Sequence, residues 1–346
     1  MSLAAARVFV SQERSGMNDF AEAFAGRRVL ITGGLGFIGS NLARRLVELG
    51  ADVLLVDSLV PEYGGNLENI AGIEGKVRVN VSDVRDDHSM AYLVQGQDYL
   101  FNLAGQTSHM DSMADPYTDL EINCRAQLSI LEACRKHNPQ IKIVFASTRQ
   151  IYGKPDSLPV SETHLLRPVD VNGINKMAGE WYHILYNNVY GLQACALRLT
   201  NTYGPRMRIK DARQTFLGVW VRSVVQNQPF EVWGGAQLRD FTYVGDAVEA
   251  FLLAATRPEA AGQVYNLGGP TVLTLTQMAD LVIEAAGGGT YTVREFPAER
   301  KRIDIGDYYA DDTQIRRTLG WEPKIAEREG LELTLAFYRA RLEAYL

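Results

Sequence analysis

The chain is expected to be an α/β protein: a Rossmann-like, doubly wound parallel sheet with a smaller C-terminal α/β substrate domain. Three observations lead there. Short apolar runs alternate with helical patterns along the first two thirds of the chain. Those runs show little apolar/polar alternation, as expected of strands covered on both faces. A glycine cluster, "TGGLGFIGS", lies between the first apolar run and the first helical pattern.

Taken in order, "RRVLITGG" reads as the first strand and "SNLARRLVELG" as a helix ending in glycine. "DVLLVDS" is the second strand, "VRVNVSDV" the third, "YLFNLAG" the fourth, "KIVFAST" the fifth and "LQACALRLTN" the sixth. Two long helices, "LEINCRAQLSILEACRKH" and "KMAGEWYHILYNNVYG", carry apolar stripes suited to a core or to an interface. After about Tyr203 the pattern changes to mixed helices, short strands and arginine-rich loops. The expected division is an N-terminal extension (1–26), a Rossmann domain (27–202, with 241–267 returning to it) and a substrate-binding domain (203–240 and 268–346). Met17 is a second candidate start within the extension.

Composition narrows the function. The chain has 346 residues, 46% hydrophobic and 22% charged, enough for a large core. A formal charge of −6 without a long basic run gives little support to nucleic-acid binding. No apolar span is long enough to cross a membrane, and the first residues lack the basic and apolar regions of a secretory signal. Cys124, Cys134 and Cys195 lie far apart without metal-ligand spacing. Reduced thiols, no metal and a cytoplasmic location are the expectation.

The glycine cluster carries the strongest chemical signal. Gly34, Gly36 and Gly39 fit G-x-G-x-x-G, and Gly33, Gly36 and Gly39 fit G-x-x-G-x-x-G. Such a turn lets backbone approach a pyrophosphate at the positive end of a helix. Asp57 ends the second strand, where a carboxylate meets the adenosine ribose and repels a 2′-phosphate. NAD is therefore expected rather than NADP; capping a helix is the other reading of Asp57.

With "TGGLGFIGS", "SDVRD", "NLAGQ", "STRQIYG", "NGINK" and "RLTNTYGPR" in order, the chain resembles the extended short-chain dehydrogenase/reductase family. That family consists largely of nucleotide-sugar epimerases and dehydratases. The segment "AGQTSHMDSMADPYTDLEINCRAQLSILEACR" looks most like the CDP-tyvelose (paratose) 2-epimerase branch. The resemblance implies that Gly33, Gly36, Phe37, Ile38, Asp57, Asp83, Val84, Leu103, Ala104, Gln106, Ser147 and Lys176 hold NAD. It implies that Thr148 bonds the sugar's reacting oxygen. Asn201 and Arg206 would face the substrate, with Arg239 and Arg302 on its diphosphate; each arginine has a surface ion pair as its alternative reading. It also implies a homodimer through a four-helix interface built from the two long helices.

Two departures bear on the reaction. In the family's 4,6-dehydratases, Asp-Glu follows the threonine of the fifth-strand motif; here Arg149 and Gln150 follow Thr148. Neither suits the acid/base work of that reaction. The family's acid/base tyrosine stands four residues before the lysine, and here that position is Asn172. Asparagine does not ionise, so proton transfer needs another group. His109, whose ordinary pKa suits work near neutrality, is the leading candidate. Asp111, Tyr152, Tyr203 and Lys176 are the alternatives. The expected activity is an NAD-dependent epimerase of a nucleotide diphosphate sugar, working by transient hydride transfer. The other readings are a dehydrogenase, reductase or dehydratase of such a sugar, and a non-catalytic NAD-binding scaffold.

Overall fold

The computed structural model describes residues 19–346. Six strands match the predicted runs: β1 (Arg28–Thr32), β2 (Asp52–Asp57), β3 (Val77–Val81), β4 (Tyr99–Asn102), β5 (Lys142–Thr148) and β6 (Gln193–Leu199). The chain then forms β7 (Asn201–Tyr203), β8 (Phe230–Trp233), β9 (Leu238–Tyr243), β10 (Val264–Asn266), β11 (Val272–Thr274) and β12 (Tyr291–Arg294). Seven strands form one parallel sheet, ordered β10-β6-β5-β4-β1-β2-β3. The chain order reverses between β1 and β4, so a crevice opens beyond their carboxyl ends.

Both faces of this sheet are covered, which explains the continuous apolar runs. Val29, Ile31, Val53 and Leu55 face helices Phe37–Glu48 and Val244–Thr256. Their neighbours Leu30, Leu54 and Val56 face the opposite way and pack with Met90, Ile130 and Leu131. Each such aliphatic side chain contributes about 1.5–3 kcal/mol when fully buried. The edge strand β3 is the exception, with Val79 and Val81 exposed.

The remaining strands make a three-stranded sheet (β11-β9-β7) and a two-stranded pair (β12-β8). They share a second core, including Trp220, Phe230, Met278, Leu331 and Tyr338. Phe37, the first helical residue after the glycine turn, belongs to that core and ties the turn to it.

Three details differ from the sequence reading. Of the expected extension, residues 1–18, Met17 among them, lie outside the described residues, whereas Phe20 and Phe24 are buried in the main core. Ile315, Leu319 and Trp321, from the C-terminal segment, also pack into that core, and Trp321 Nε1 donates to Asp246 O at 2.8 Å. The helix read from Lys176 begins at Val171, because Asp170 caps it by accepting the Gly173 N–H at 2.6 Å.

That helix, Val171–Tyr190, is amphipathic in an unusual sense. Its buried face holds Asn172, Asn175, Lys176, Glu180 and His183. Its exposed face holds Ile174, Trp181, Leu185 and Val189. No helix among the described residues is long and apolar enough to cross a membrane.

Candidate active site

A cavity of about 450 Å³ opens at the carboxyl ends of β1, β2, β4 and β5. At one end lies the glycine turn. Gly33 has φ +66°, and a Cβ there would meet the Ala104 backbone nitrogen at 3.0 Å. A Cβ on Gly39 would collide with the Gly33 carbonyl, so the helix packs on the turn only with glycine there. Helix Phe37–Glu48 has no side-chain cap and no acidic residue in its first turn. Its first N–H groups and dipole are therefore available to an anion.

Asp57 caps no helix. Its Oδ2 accepts the Leu35 N–H at 3.0 Å and its Oδ1 the Leu59 N–H at 2.9 Å. These bonds aim the carboxylate and leave each oxygen a lone pair for a hydroxyl. Burial raises the Asp57 pKa, opposed by the two backbone bonds. Asp83 is held below the usual carboxylate range by Arg85, whose Nη2 lies 2.6 Å from its Oδ2. Val84, Leu103 and Ala104 line the same end. The Leu103 and Ala104 N–H groups both donate to Thr32 Oγ1 at 3.1 Å, which sets the chain's exit from β4. A glycine-rich turn, an uncapped helix start and a half-buried carboxylate at the end of β2 fit a dinucleotide. Gly33, Gly36, Phe37, Ile38 and Asp57 would hold it.

The middle of the cavity is organised by a buried acid that the sequence reading missed. Asp119 is fully buried. Its Oδ2 accepts from the Asn123 and Asn172 amides, both at 3.0 Å, and its Oδ1 from Asn175 at 2.8 Å. Hydrogen bonds to a charge contribute about 1.5–3 kcal/mol each, so three offset much of the cost of burial. A π-helical turn, Glu121–Arg125, interrupts the long helix and carries Asn123. Lys176 lies nearby, with Nζ donating to Ala146 O at 3.2 Å. Burial lowers its pKa to about 8, with Asp119 opposing the shift.

Asn172 is therefore a tether. Its Nδ2 donates to Gln106 O at 2.8 Å as well as to Asp119. Turning the amide over would set its oxygen against two acceptors, so the assignment follows from the chemistry. Its backbone N–H donates to Ser112 Oγ at 3.2 Å, and that hydroxyl donates to His109 O at 2.7 Å. His109 Nδ1 lies 3.0 Å from Asp170 Oδ2, bent away from a straight N–H···O line. The first turn of the helix thus meets the short helix His109–Ala114 at several points.

Asp170 itself is buried and multiply bonded. Burial pushes its pKa up, but His109, the Gly173 N–H and the Gln150 amide outweigh it and hold the carboxyl below its ordinary value. Gln150 Nε2 donates to Asp170 Oδ2 at 2.7 Å. Neither Gln150 nor Asp170 was singled out from sequence as a site residue. The signal available was the helix-cap position of Asp170, two residues before Asn172.

The cavity brings together every sequence-predicted site residue except Arg206 and Arg302. Arg206 does not line it: its guanidinium lies 5.0 Å from the Phe337 ring, and Nη1 donates to Asn41 Oδ1 at 2.8 Å. It packs instead at the seam between the glycine-turn helix and the C-terminal helix. Arg302 is exposed, while its neighbours Ile303 and Asp304 line the cavity. Arg239 does line the cavity, paired with Asp304 at 3.3 Å. Ser147 reaches it too, but its hydroxyl donates to the buried Glu180 at 2.6 Å. Thr148 Oγ1 accepts the Gln150 N–H at 3.2 Å and keeps its own proton to donate. Of the alternatives to His109, Lys176 lines the cavity, and the other three are otherwise engaged. Asp111 pairs with Arg213 at 2.9 Å, Tyr152 Oη is buried between Arg198 and Asn266, and Tyr203 Oη donates to Glu327 O at 3.2 Å.

The family model of the NAD dependent epimerase/dehydratase family matches residues 29–268. The chain belongs to this family, and NAD is its cofactor. A putative UDP-glucose 4-epimerase of Methanocaldococcus jannaschii is 32% identical over 308 residues, 88% of this chain and 96% of that protein. The crystal structure of a UDP-glucose 4-epimerase with UDP-glucose from Thermotoga maritima aligns with TM-score 0.82 at 30% identity, covering 91% of this chain and 99% of that one. A dTDP-glucose 4,6-dehydratase from Streptomyces venezuelae, with NAD bound, aligns with TM-score 0.81 at 26% identity, covering 91% and 98%.

Proposed function

We propose that the protein is an NAD-dependent epimerase of a nucleotide diphosphate sugar in which a His109–Asp170 pair takes over the proton transfer assigned to tyrosine in relatives. The observation that carries this reading is the 3.0 Å approach of His109 Nδ1 to a buried carboxylate, beside Thr148 and Asn172 in one cavity. Bound NAD supplies the acceptor and donor of a hydride. Thr148 donates its hydroxyl proton to the reacting oxygen. Asp170, 3.0 Å from Nδ1, would draw a proton to that nitrogen as the imidazole turns in line, which leaves Nε2 to take the sugar hydroxyl proton and later return it. Asn172 holds the short helix that begins at His109 in place, and Lys176 contributes charge beside the cofactor ribose. Asn201 would face the substrate and Arg239 its diphosphate.

A dehydratase is the second reading, favoured by relatives of that activity. Arg149 and Gln150 speak against it. Arginine stays protonated, and the Gln150 amide is committed to Asp170. The apolar outer face of helix Val171–Tyr190, with exposed Tyr117 and Leu120 on the adjacent helical segment, supports a homodimer through four helices. Trp181→Glu with Leu185→Glu is expected to give a monomer in sedimentation analysis.

The test of the activity mixes NAD-loaded protein with UDP-, dTDP-, CDP- and GDP-sugars and follows NADH fluorescence in single-turnover mode, with product analysis. The expected result is a transient rise and an inverted sugar carbon. Stoichiometric free NADH would point to net oxidation, and no signal together with no product would favour the scaffold reading.

A further inference from the structure

Arg149 lines the same cavity as Thr148, Asn172 and His109 and follows Thr148 directly at the end of β5. Its guanidinium has little to do there. Nη2 donates to Asn201 Oδ1 at 3.0 Å, an uncharged partner. The Tyr308 ring lies 5.5 Å away. Nη1 is buried and has no hydrogen-bond partner. Among the described residues Arg149 forms no ion pair. Asp240 and Asp304 attract it through space, but Asp304 is paired with Arg239, and the oxygens of Asp240 already accept from the Thr200 hydroxyl and, at 3.0 Å, from the Ala310 N–H. Burial lowers the pKa of Arg149, as expected for a charge without sufficient compensation.

Arg239 offers the contrast on the same wall. It is paired with Asp304 at 3.3 Å and donates to the carbonyls of Leu238 and Gly306. Burial lowers the pKa of both arginines, but only Arg239 has a carboxylate in direct contact. An unpaired buried cation is costly, and an anion brought by the ligand relieves that cost. A guanidinium is a planar fork suited to a carboxylate.

A nucleotide sugar can bring two anions, its diphosphate and an acid on the sugar. Arg149 is adjacent in sequence to the threonine that would hold the reacting sugar oxygen. We infer that the sugar is a uronic acid whose carboxylate is received by Arg149, which makes this arginine the specificity determinant of the site. This inference rests on the nucleotide-sugar reading above.

The experiment measures equilibrium binding by calorimetry to the NAD-loaded protein. The probes are two matched pairs, UDP-glucose with UDP-glucuronate and GDP-mannose with GDP-mannuronate. The expected result is that the acid of one pair binds at least about tenfold more tightly than its neutral partner. In Arg149→Gln that preference disappears while NAD affinity and the neutral sugar's affinity stay within about twofold. Arg149→Lys, which keeps the charge and loses the fork, retains part of the preference. Equal binding of acid and neutral sugars by the native protein overturns the inference and leaves the nucleotide-sugar reading standing. Equal weakening of both sugars in Arg149→Gln assigns the residue to the diphosphate and also overturns it. If neither pair binds to protein that still binds NAD, the nucleotide-sugar reading falls and the inference falls with it.

Discussion

At one end of the cavity lies a contiguous glycine-rich stretch, Gly33 to Ile38, that offers mostly backbone, with Asp57, Asp83 and Leu103 around it. At the opposite end the lining side chains come from separate segments: His109, Thr148 with Arg149, Asn172, Asn201 and Arg239. The first end depends on what is absent, since a Cβ at Gly33 or Gly39 has no room. The second depends on what each side chain is bonded to. A backbone site tolerates little change in sequence. A side-chain site can exchange one proton carrier for another, provided the new one is held as firmly. Under the proposed scheme, His109 is positioned by its backbone carbonyl, which accepts from Ser112, and by the approach of Nδ1 to Asp170.

The contrast predicts different consequences for damage at each end. The largest effect is expected from Asp170→Asn. Asparagine keeps the helix cap but no longer stabilises a charged His109, so single-turnover hydride transfer falls about 10²–10⁴-fold while NAD affinity is unchanged. His109→Gln behaves alike, and full activity with an unchanged pH profile in that variant removes His109 from the scheme. At the other end, Gly33→Val should cost about 100-fold in NAD affinity, roughly 2.7 kcal/mol, read by titration of the purified protein. An unaltered affinity would mean that the turn does not touch the pyrophosphate.

Restoring the tyrosine sharpens the comparison further. Asn172→Tyr is expected to destabilise the protein by about 1–3 kcal/mol in urea unfolding, since Asn172 is buried against Gln106 and Asp119. It should not raise activity; a faster enzyme would identify Asn172 as a loss rather than a relocation. The smallest effect concerns pH. Lys176 has its pKa lowered to about 8 in the fold, so above that value the native state sheds a proton that the unfolded chain keeps until about 10.5. The unfolded state then binds more protons, and this group's contribution to stability rises with pH through that window. Between pH 8 and 9.5 the native protein should gain about 1–2 kcal/mol relative to Lys176→Met, measured by denaturant unfolding at each pH. A constant difference would show that Lys176 keeps its ordinary pKa.

Much of the fold was legible because it follows from local pattern. Apolar runs covered on both faces have no alternation, and six of them became strands of one parallel sheet. The seventh, β10, is only three residues long and too short to announce itself. Arg206 and Arg302 illustrate the limit of motif reading at the site. Both stand in arginine-rich stretches, yet one packs on Phe337 and the other is exposed. Arginine has the same composition signal whether it meets a ring, water or a ligand.

The sequence by itself determined the glycine turn, the carboxylate of Asp57 at the end of β2, the parallel sheet and the absence of tyrosine at position 172. These depend on short stretches whose backbone conformation is constrained locally. Only the tertiary structure decided that Asp119 is caged by three asparagines, that Asp170 turns toward His109, and that Arg149 has no carboxylate in direct contact among the described residues. Those outcomes depend on which groups are buried together across long sequence separations. A buried charge must find its partners wherever the fold places them.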